Sequence, residues 1–272
     1  MMAPSTTPAF WRDDALPFIE ARYVEDGRTV CYERHFHDTF SIGQITAGRS
    51  TYLNGRLRET VGEGAVVIMN PGDVHACNPV ADERWAYRML YVDRAWLAGL
   101  QHDLGFDANH DLRAFSTAVT NDAALFAAFA ALSTLLADES VDTLRKETAA
   151  VAFFGEVQRR LDPAPCVPRQ DDDKVREAAE FISDNRTRRI TLEELCRATD
   201  LSASYLIRAF KRRYGLTPHA YLVNRRVEYG QVQLRRGRAI ADVALDAGFA
   251  DQAHFQRAFK RLLAATPRQY RA

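Results

Sequence analysis

From Ile19 to about Asp93 the apolar residues come in short runs broken by Gly, Asn and Pro, which predicts many short strands. Examples are Phe40-Ser-Ile-Gly-Gln-Ile-Thr, Ser50-Thr-Tyr-Leu before the turn pair Asn54-Gly55, Ala65-Val-Val-Ile-Met before Pro71-Gly72-Asp73, and Tyr87-Arg-Met-Leu-Tyr-Val. Strands of this length and spacing belong to a sandwich or barrel. Beyond residue 94 the period lengthens to three or four. Asn121–Leu136 and Leu144–Leu161 predict helices rich in Ala, with broad apolar faces for packing on the strands or on a second copy of the chain. The stretch 162–173 carries three prolines and ends in an acidic run, so it predicts a linker. From residue 174 onward the pattern is helical again, opening with Val175, Ala178, Ala179 and Ile182 on one side. Residues 1–8 are polar and read as a frayed end, whereas Phe10-Trp11 are candidates to dock on the strands.

The last part of the chain repeats itself. Arg208-Ala-Phe-Lys-Arg212 returns as Arg257-Ala-Phe-Lys-Arg261, Thr217-Pro218 as Thr266-Pro267, and Tyr221 as Tyr270, all at an offset of 49. A short amphipathic run precedes each copy. In the first, Thr191 and Glu194 form a capping box, Asp200-Leu201-Ser202 turns the chain, and Ser202 caps a helix reaching Tyr214. Gly215 ends that helix, and Thr217-Pro218 starts another that runs to about Arg235. The second unit repeats the scheme with Gly248 in the turn and Asp251 as the cap. Two helical hairpins with a solvated basic face would satisfy this pattern; so would two helix-turn-helix modules. The helix between them would be roughly 28 Å long, close to the ~34 Å turn of B-DNA.

Charge separates the two alternatives. The chain of 272 residues balances 36 Lys and Arg against 36 Asp and Glu. Residues 174–272 hold 20 of the basic and 10 of the acidic residues, leaving 16 and 26 to residues 1–173. A basic half joined to an acidic one suits a polyanionic partner. Four scattered cysteines (Cys31, Cys77, Cys166, Cys196), without a C-x-x-C pair, are expected to be reduced thiols. With no apolar run near the ~20 residues of a membrane span and no signal-peptide pattern, the expectation is a cytoplasmic protein.

The pattern Leu201-Ser202, Tyr205-Leu206, Arg208, Phe210-Lys211, Gly215, Thr217-Pro218, Tyr221-Leu222 resembles the AraC/XylS type of transcription regulator. So does its continuation, Ile240, Val243-Ala244, Gly248-Phe249, Gln252, His254-Phe255, Arg257, Phe259-Lys260, Thr266-Pro267, Tyr270-Arg271. The resemblance implies an all-α double helix-turn-helix over 174–272 that binds double-stranded DNA. It places Ser204, Ile207, Arg208 and Lys211 of one recognition helix, and Gln252, Ala253, His254 and Arg257 of the other, toward DNA. Arg to guanine, Gln to adenine and Ile against a thymine methyl are chemically apt pairs. Arg208 and Arg257 have a second reading, as packing residues at the helix seam. The chain departs from the family pattern at Asp200 and Ala264, where glycine is usual, and at Gly230, where alanine is usual. A helix-interior glycine costs up to ~1 kcal/mol and is expected to loosen the coupling of the two modules.

The strand-rich part resembles a cupin-like barrel, as the family's effector domain usually is. His35-x-His37, Pro71-Gly72-x-x-His75, Gly48 and Gly62-Glu-Gly64 carry that resemblance. The expected architecture is therefore a cupin-like β-barrel with packing helices over 1–161, binding an effector and dimerising through the helix around Ala149–Val157. His37, His75 and Arg88 are the candidates to hold a small-molecule effector. His35, His37 and His75 are alternatively metal ligands. The usual cupin carboxylate is absent, Ser41 standing in its place, so no cofactor is expected. His35 and His37 as plain strand residues remain a third alternative. The function expected is a ligand-controlled transcription regulator, not an enzyme. It would be a homodimer and an activator touching RNA polymerase, with no membrane partner. The competing reading is a metal-dependent cupin-fold enzyme fused to a helical DNA-tethering domain.

Overall fold

The computed structural model describes residues 7–80, 83–106, 111–161 and 173–271, so the expected linker lies outside the described residues except for Asp173. The chain divides into two compact units.

The strand-rich unit contains β1 (Ala9–Trp11), β2 (Ile19–Val24), β3 (Phe40–Ala47), β4 (Arg49–Asn54), β5 (Leu57–Gly62), β6 (Val66–Met69), most of β7 (His75–Pro79) and β8 (Ala86–Val92). It continues with α1 (Arg94–Asp103), β9 (Val119–Thr120), α2 (Ala123–Ala137) and α3 (Thr143–Leu161). The β-rich architecture and the two long helices are as expected. The strands do not close into one barrel. They form a six-stranded sheet in the order β1-β2-β8-β3-β6-β9 and a three-stranded sheet β5-β4-β7, an arrangement compatible with a cupin-like jelly roll. Asn54-Gly55 makes the expected tight hairpin: Asn54 pairs with Leu57, and Gly55 supplies φ of 57°.

Register decides which side chains of the large sheet meet the helices. Ile19, Ala21, Leu90, Val92, Phe40, Ile42, Val66 and Ile68 share one face, since Ala21 pairs with Leu90 and Ile42 with both Leu90 and Ile68. They form one core with Leu125, Phe129, Leu132 and Leu136 of α2 and Ala150, Phe153, Phe154 and Val157 of α3. Much of the helix expected to bind a second copy is thus used for packing on its own sheet. Leu144 and Val151 are the large apolar residues that α3 leaves exposed.

The helical unit comprises α4 (Asp173–Asp184), α5 (Leu192–Thr199), α6 (Ala203–Tyr214), α7 (Pro218–Arg235), α8 (Ile240–Asp246), α9 (Gln252–Leu263) and α10 (Pro267–Arg271). Val175, Ala178, Ala179 and Ile182 of α4 face inward as the period predicts, against Leu195, Leu206, Phe210 and Leu222. Two short segments from the N-terminal half, Tyr32–His37 and Val74–Ala76, also belong to this unit. None of the described helices is long and apolar enough to cross a membrane.

Candidate nucleic-acid interface and the effector-side residues

Local chemistry starts each module where the sequence says it should. Thr191 accepts a hydrogen bond from the Glu194 amide (3.1 Å) and the Glu194 carboxylate accepts one from the Thr191 amide (2.7 Å). These bonds, the Thr191 amide first and then the Arg188 side chain, hold the Glu194 carboxyl below the usual carboxylate range. Asp200 takes up a left-handed conformation (φ 51°) that closes α5, and Ser202 then caps α6. Asp251 caps α9, accepting from the His254 amide at 2.6 Å.

The internal repeat places equivalent residues alike. Leu206, Ala209 and Phe210 of α6 are buried, and so are their counterparts Phe255, Ala258 and Phe259 of α9. The opposite sides are exposed: Ile207, Arg208 and Lys211 on α6, and Gln252, Ala253 and Arg257 on α9. Ser204 lies in the first turn of α6. His254 is half-buried, its ring edge-on to Phe249 at 5.1 Å, so it packs on the turn as well as facing outward. Arg208 and Arg257 stand on the exposed side and not in the apolar seam. Arg212, expected on the outer side of α6, is exposed there, and Tyr205, Lys260 and Arg261, which sequence reasoning did not single out, share those exposed faces. The same offset of 49 that pairs Arg208 with Arg257 pairs Lys211 with Lys260 and Arg212 with Arg261, and would have found the last two.

The helix α7 joins the modules and explains the departure at Gly230. A methyl group there would lie 2.7 Å from the Phe255 ring of α9, closer than real side chains come. Glycine lets the two helices approach, so the residue expected to loosen the modules instead permits their close packing. Arg226, also on α7, donates from Nε to the Arg186 carbonyl and from Nη2 to the Arg188 carbonyl, both at 2.8 Å. Partial burial pulls its guanidinium below the ordinary arginine value.

The effector candidates fall in both units, His37 and His75 in the helical one and Arg88 in the strand-rich one. His37 and His75 are close, with ring centroids 4.8 Å apart, and His35 lies 4.5 Å from His75. All three belong to the segments that fold with the helical unit. His35 and His75 exchange both backbone hydrogen bonds, and the His35 Nδ1 donates to the Glu33 carbonyl at 2.8 Å. Between them Phe36 forms a small core with Val74 and Leu216 and stacks on Tyr221. The buried Asn224 side chain accepts from the Phe36 amide (3.2 Å) and donates to its carbonyl (2.7 Å), as a neighbouring strand would. Asn224 was missed, although an amide among the apolar positions of α7 breaks the pattern there.

Arg88 belongs to the strand-rich unit. It pairs in register with Tyr23 and Gln44 on the helix-facing side of the large sheet, where the Tyr23 hydroxyl donates to the Ser133 carbonyl of α2. The arginine on the other side is Arg22, buried, with its guanidinium over the rings of Phe10 (5.5 Å) and Tyr87 (5.9 Å). Every residue of β2 but one is buried, so alternation alone could not say which of these arginines faces which layer. Among the described residues no group of three or more His, Cys, Asp or Glu is placed to hold a metal ion. The Cys77 thiol is pushed up to about 12 by burial, which keeps it protonated and a poor nucleophile.

Comparison with known proteins bears on both units. Residues 19–154, half of the chain, match the AraC-like ligand binding domain, and residues 195–272 match a helix-turn-helix domain. A Bacillus subtilis protein described as the uncharacterized HTH-type transcriptional regulator YbfI is 29% identical over 240 residues, which cover 87% of this chain and 85% of that protein. The HTH-type transcriptional regulator MtrA of Neisseria gonorrhoeae is 36% identical over 81 residues, 29% of this chain and 27% of its own length. Among solved structures, apo ToxT from Vibrio cholerae superposes with a TM-score of 0.60 at 14% identity, over 97% of this chain and 96% of that one. ToxT bound to an unsaturated fatty acid gives 0.57 at 16% identity, over 100% of this chain and 97% of that one. At such identities the likeness to ToxT speaks for the fold.

Proposed function

This chain belongs to the AraC family of transcription regulators, an AraC-like ligand-binding domain joined to a helix-turn-helix DNA-binding domain, and on that premise we propose that it reads DNA with α6 and α9 together. The observation that carries the proposal is the matched exposure of the two helices. Arg208 and Lys211 on one, and Arg257 and Lys260 on the other, occupy equivalent outward positions on two capped helices. Each helix enters a major groove with its N-terminal turns. There Ser204, Ile207, Arg208, Gln252, Ala253 and Arg257 contact base edges, His254 supports the turn and contacts the groove, and Lys211 contacts phosphate. The protein is cytoplasmic and acts as an activator that touches RNA polymerase, and it pairs with a second copy through the outer side of α3, where Leu144 and Val151 are exposed.

Its effector is a small molecule. Two sets of residues answer to it: His37 and His75 beside the Phe36 segment, and Arg88, Tyr23 and Gln44 on the sheet. Binding controls DNA only insofar as the ligand prefers one conformation of the chain over another. Because ToxT has been solved with an unsaturated fatty acid, that class is the first to screen. A His75→Ala variant should shift the effector response and leave DNA affinity without effector nearly unchanged.

The test of DNA reading is selection of fragmented genomic DNA by the purified protein at one fixed moderate salt concentration, since phosphate contacts alone give binding that fades as salt rises. Recovery of a few promoters carrying two half-motifs about one helical turn apart is expected. Recovery without any shared motif would reject the two-helix reading.

A further inference from the structure

Two recognition helices on one chain can read two half-motifs only at the separation and twist at which the protein holds them. In this chain α7 joins the modules, and its 18 residues make a rod about 27 Å long. A second connection runs beside it. The loop between α4 and α5 is bound to α7 by the two Arg226 hydrogen bonds to the Arg186 and Arg188 carbonyls. The Arg186 guanidinium lies over the Tyr229 ring of α7 at 5.4 Å. The same loop reaches the turn of the second module. A methyl group on Gly248 would lie 2.8 Å from the Thr187 carbonyl oxygen and 3.0 Å from Arg226 Nη2. Arg226 also stands 6.0 Å above the Phe249 ring, in the turn that precedes α9. One side chain therefore holds the first module's loop, the linker helix and the second module's turn at a single point.

We propose that Arg226 is the positioning residue that sets the spacing of the two half-motifs this protein accepts. Its planar fork suits the task, because two carbonyls are bound at a fixed angle, which a single flexible ammonium would not enforce. Without it the modules remain folded on α7 but swing relative to each other. One base pair of added spacing turns the second half-motif by about 34° around the duplex, so the intact brace rejects such a change.

The proposal rests on the two-helix reading of DNA above, and the experiment separates the two. Duplexes containing about 30 random base pairs are selected on the wild-type chain, Arg226→Ala and Arg226→Met, and the recovered sequences are scored for half-motifs and the distance between them. Wild type is expected to return both half-motifs at one dominant spacing, at least about tenfold over its neighbours, each misplaced contact set counting as a mismatch. The variants are expected to return the same half-motifs spread over two or three adjacent spacings. A wild type that returns one half-motif alone defeats the two-helix reading itself. A folded variant with the wild-type spacing defeats the role of Arg226 and leaves that reading standing. Arg226→Met keeps the stem packing in case the alanine variant does not fold. Failure of both to melt cooperatively would mean that Arg226 holds the fold, and would overturn the spacing assignment as well.

Discussion

The two helix-turn-helix modules are built from one repeated signature, yet their ends are closed by different chemistry. The first opens α5 with a reciprocal capping box at Thr191 and Glu194, and ends α6 on Gly215 with φ of 68°. The second opens α8 on Ala239, which offers no side-chain cap, and ends α9 on Ala264, forced into a left-handed conformation with φ of 49°. The second module is therefore locally the poorer sequence for its own fold. Its compensation is packing. Phe255 lies fully buried with its ring close against Gly230 of α7, and its ring centroid is 5.2 and 5.4 Å from those of Phe249 and Phe259. Tertiary contact can thus replace local signals where the helix is pinned along its length.

If packing sustains the second module, crowding that contact should injure it most. Gly230→Ala would gain up to ~1 kcal/mol of helix propensity and lose more, because the Phe255 ring must move; overpacking of this kind costs about 1–3 kcal/mol. A net loss of stability in chemical denaturation is expected, and Phe255→Leu in the same chain should restore part of it. A Gly230→Ala protein more stable than wild type would show that α7 and α9 have room between them.

The next test asks whether both modules read DNA. Removing one base-reading arginine costs about 1–3 kcal/mol, so Arg257→Ala and Arg208→Ala should each weaken specific binding roughly tenfold or more, measured by titration on a selected promoter fragment. Melting temperature should hardly move, since both side chains are exposed. An unchanged affinity for Arg257→Ala would leave the second module as a structural partner of the first.

Much of this comparison was legible in the sequence, and the reasons are local. Caps at Thr191, Ser202, Thr217 and Asp251, the turn at Asn54-Gly55 and the inward stripe of α4 each depend on a few neighbouring residues. The linker helix was legible because Pro218 starts it and its period continues unbroken. Long-range facts were not. Nothing near Gly230 announces the ring of Phe255, and nothing near His35 announces that its segment would fold with the helical unit. Nor could the strand of Arg88 say which face it takes, because the face of a doubly covered strand depends on its partners' register. The division of the cupin-like fold into two sheets was hidden for a related reason: strand spacing fixes how many strands form, and not how they share themselves between sheets.

The helix starts should differ less than the packing does. Asp251→Ala removes the cap of α9 and should cost ~1 kcal/mol. Ala239→Ser, which offers α8 the cap it lacks, should return a similar or smaller amount. Thermal unfolding of the full chain measures both; an Ala239→Ser protein no more stable than wild type would mean that the first turn of α8 is already held by its neighbours.

The smallest single change, Ala264→Gly, is the most diagnostic when set beside its counterpart, because opposite signs are expected at matched positions. Ala264 and Gly215 end equivalent helices in the same left-handed region. Alanine there costs ~1 kcal/mol relative to glycine, whereas glycine loosens the unfolded chain by about 0.4–1 kcal/mol. The two effects nearly cancel for Ala264→Gly, so a gain of at most about 0.5 kcal/mol is expected. The reverse change, Gly215→Ala, suffers the same backbone penalty and adds a methyl group 3.3 Å from Val74 Cβ, which must give way. Its loss should exceed 1 kcal/mol, by roughly the cost of a strained contact. Calorimetry of the two variants beside wild type reads both signs. If Gly215→Ala proves neutral, Val74 does not crowd the end of α6, and the small core it shares with Phe36 and Leu216 has room to yield. If Ala264→Gly is clearly destabilising, the left-handed alanine is held by more than its backbone, and the second module has a local stabiliser of its own at the end of α9.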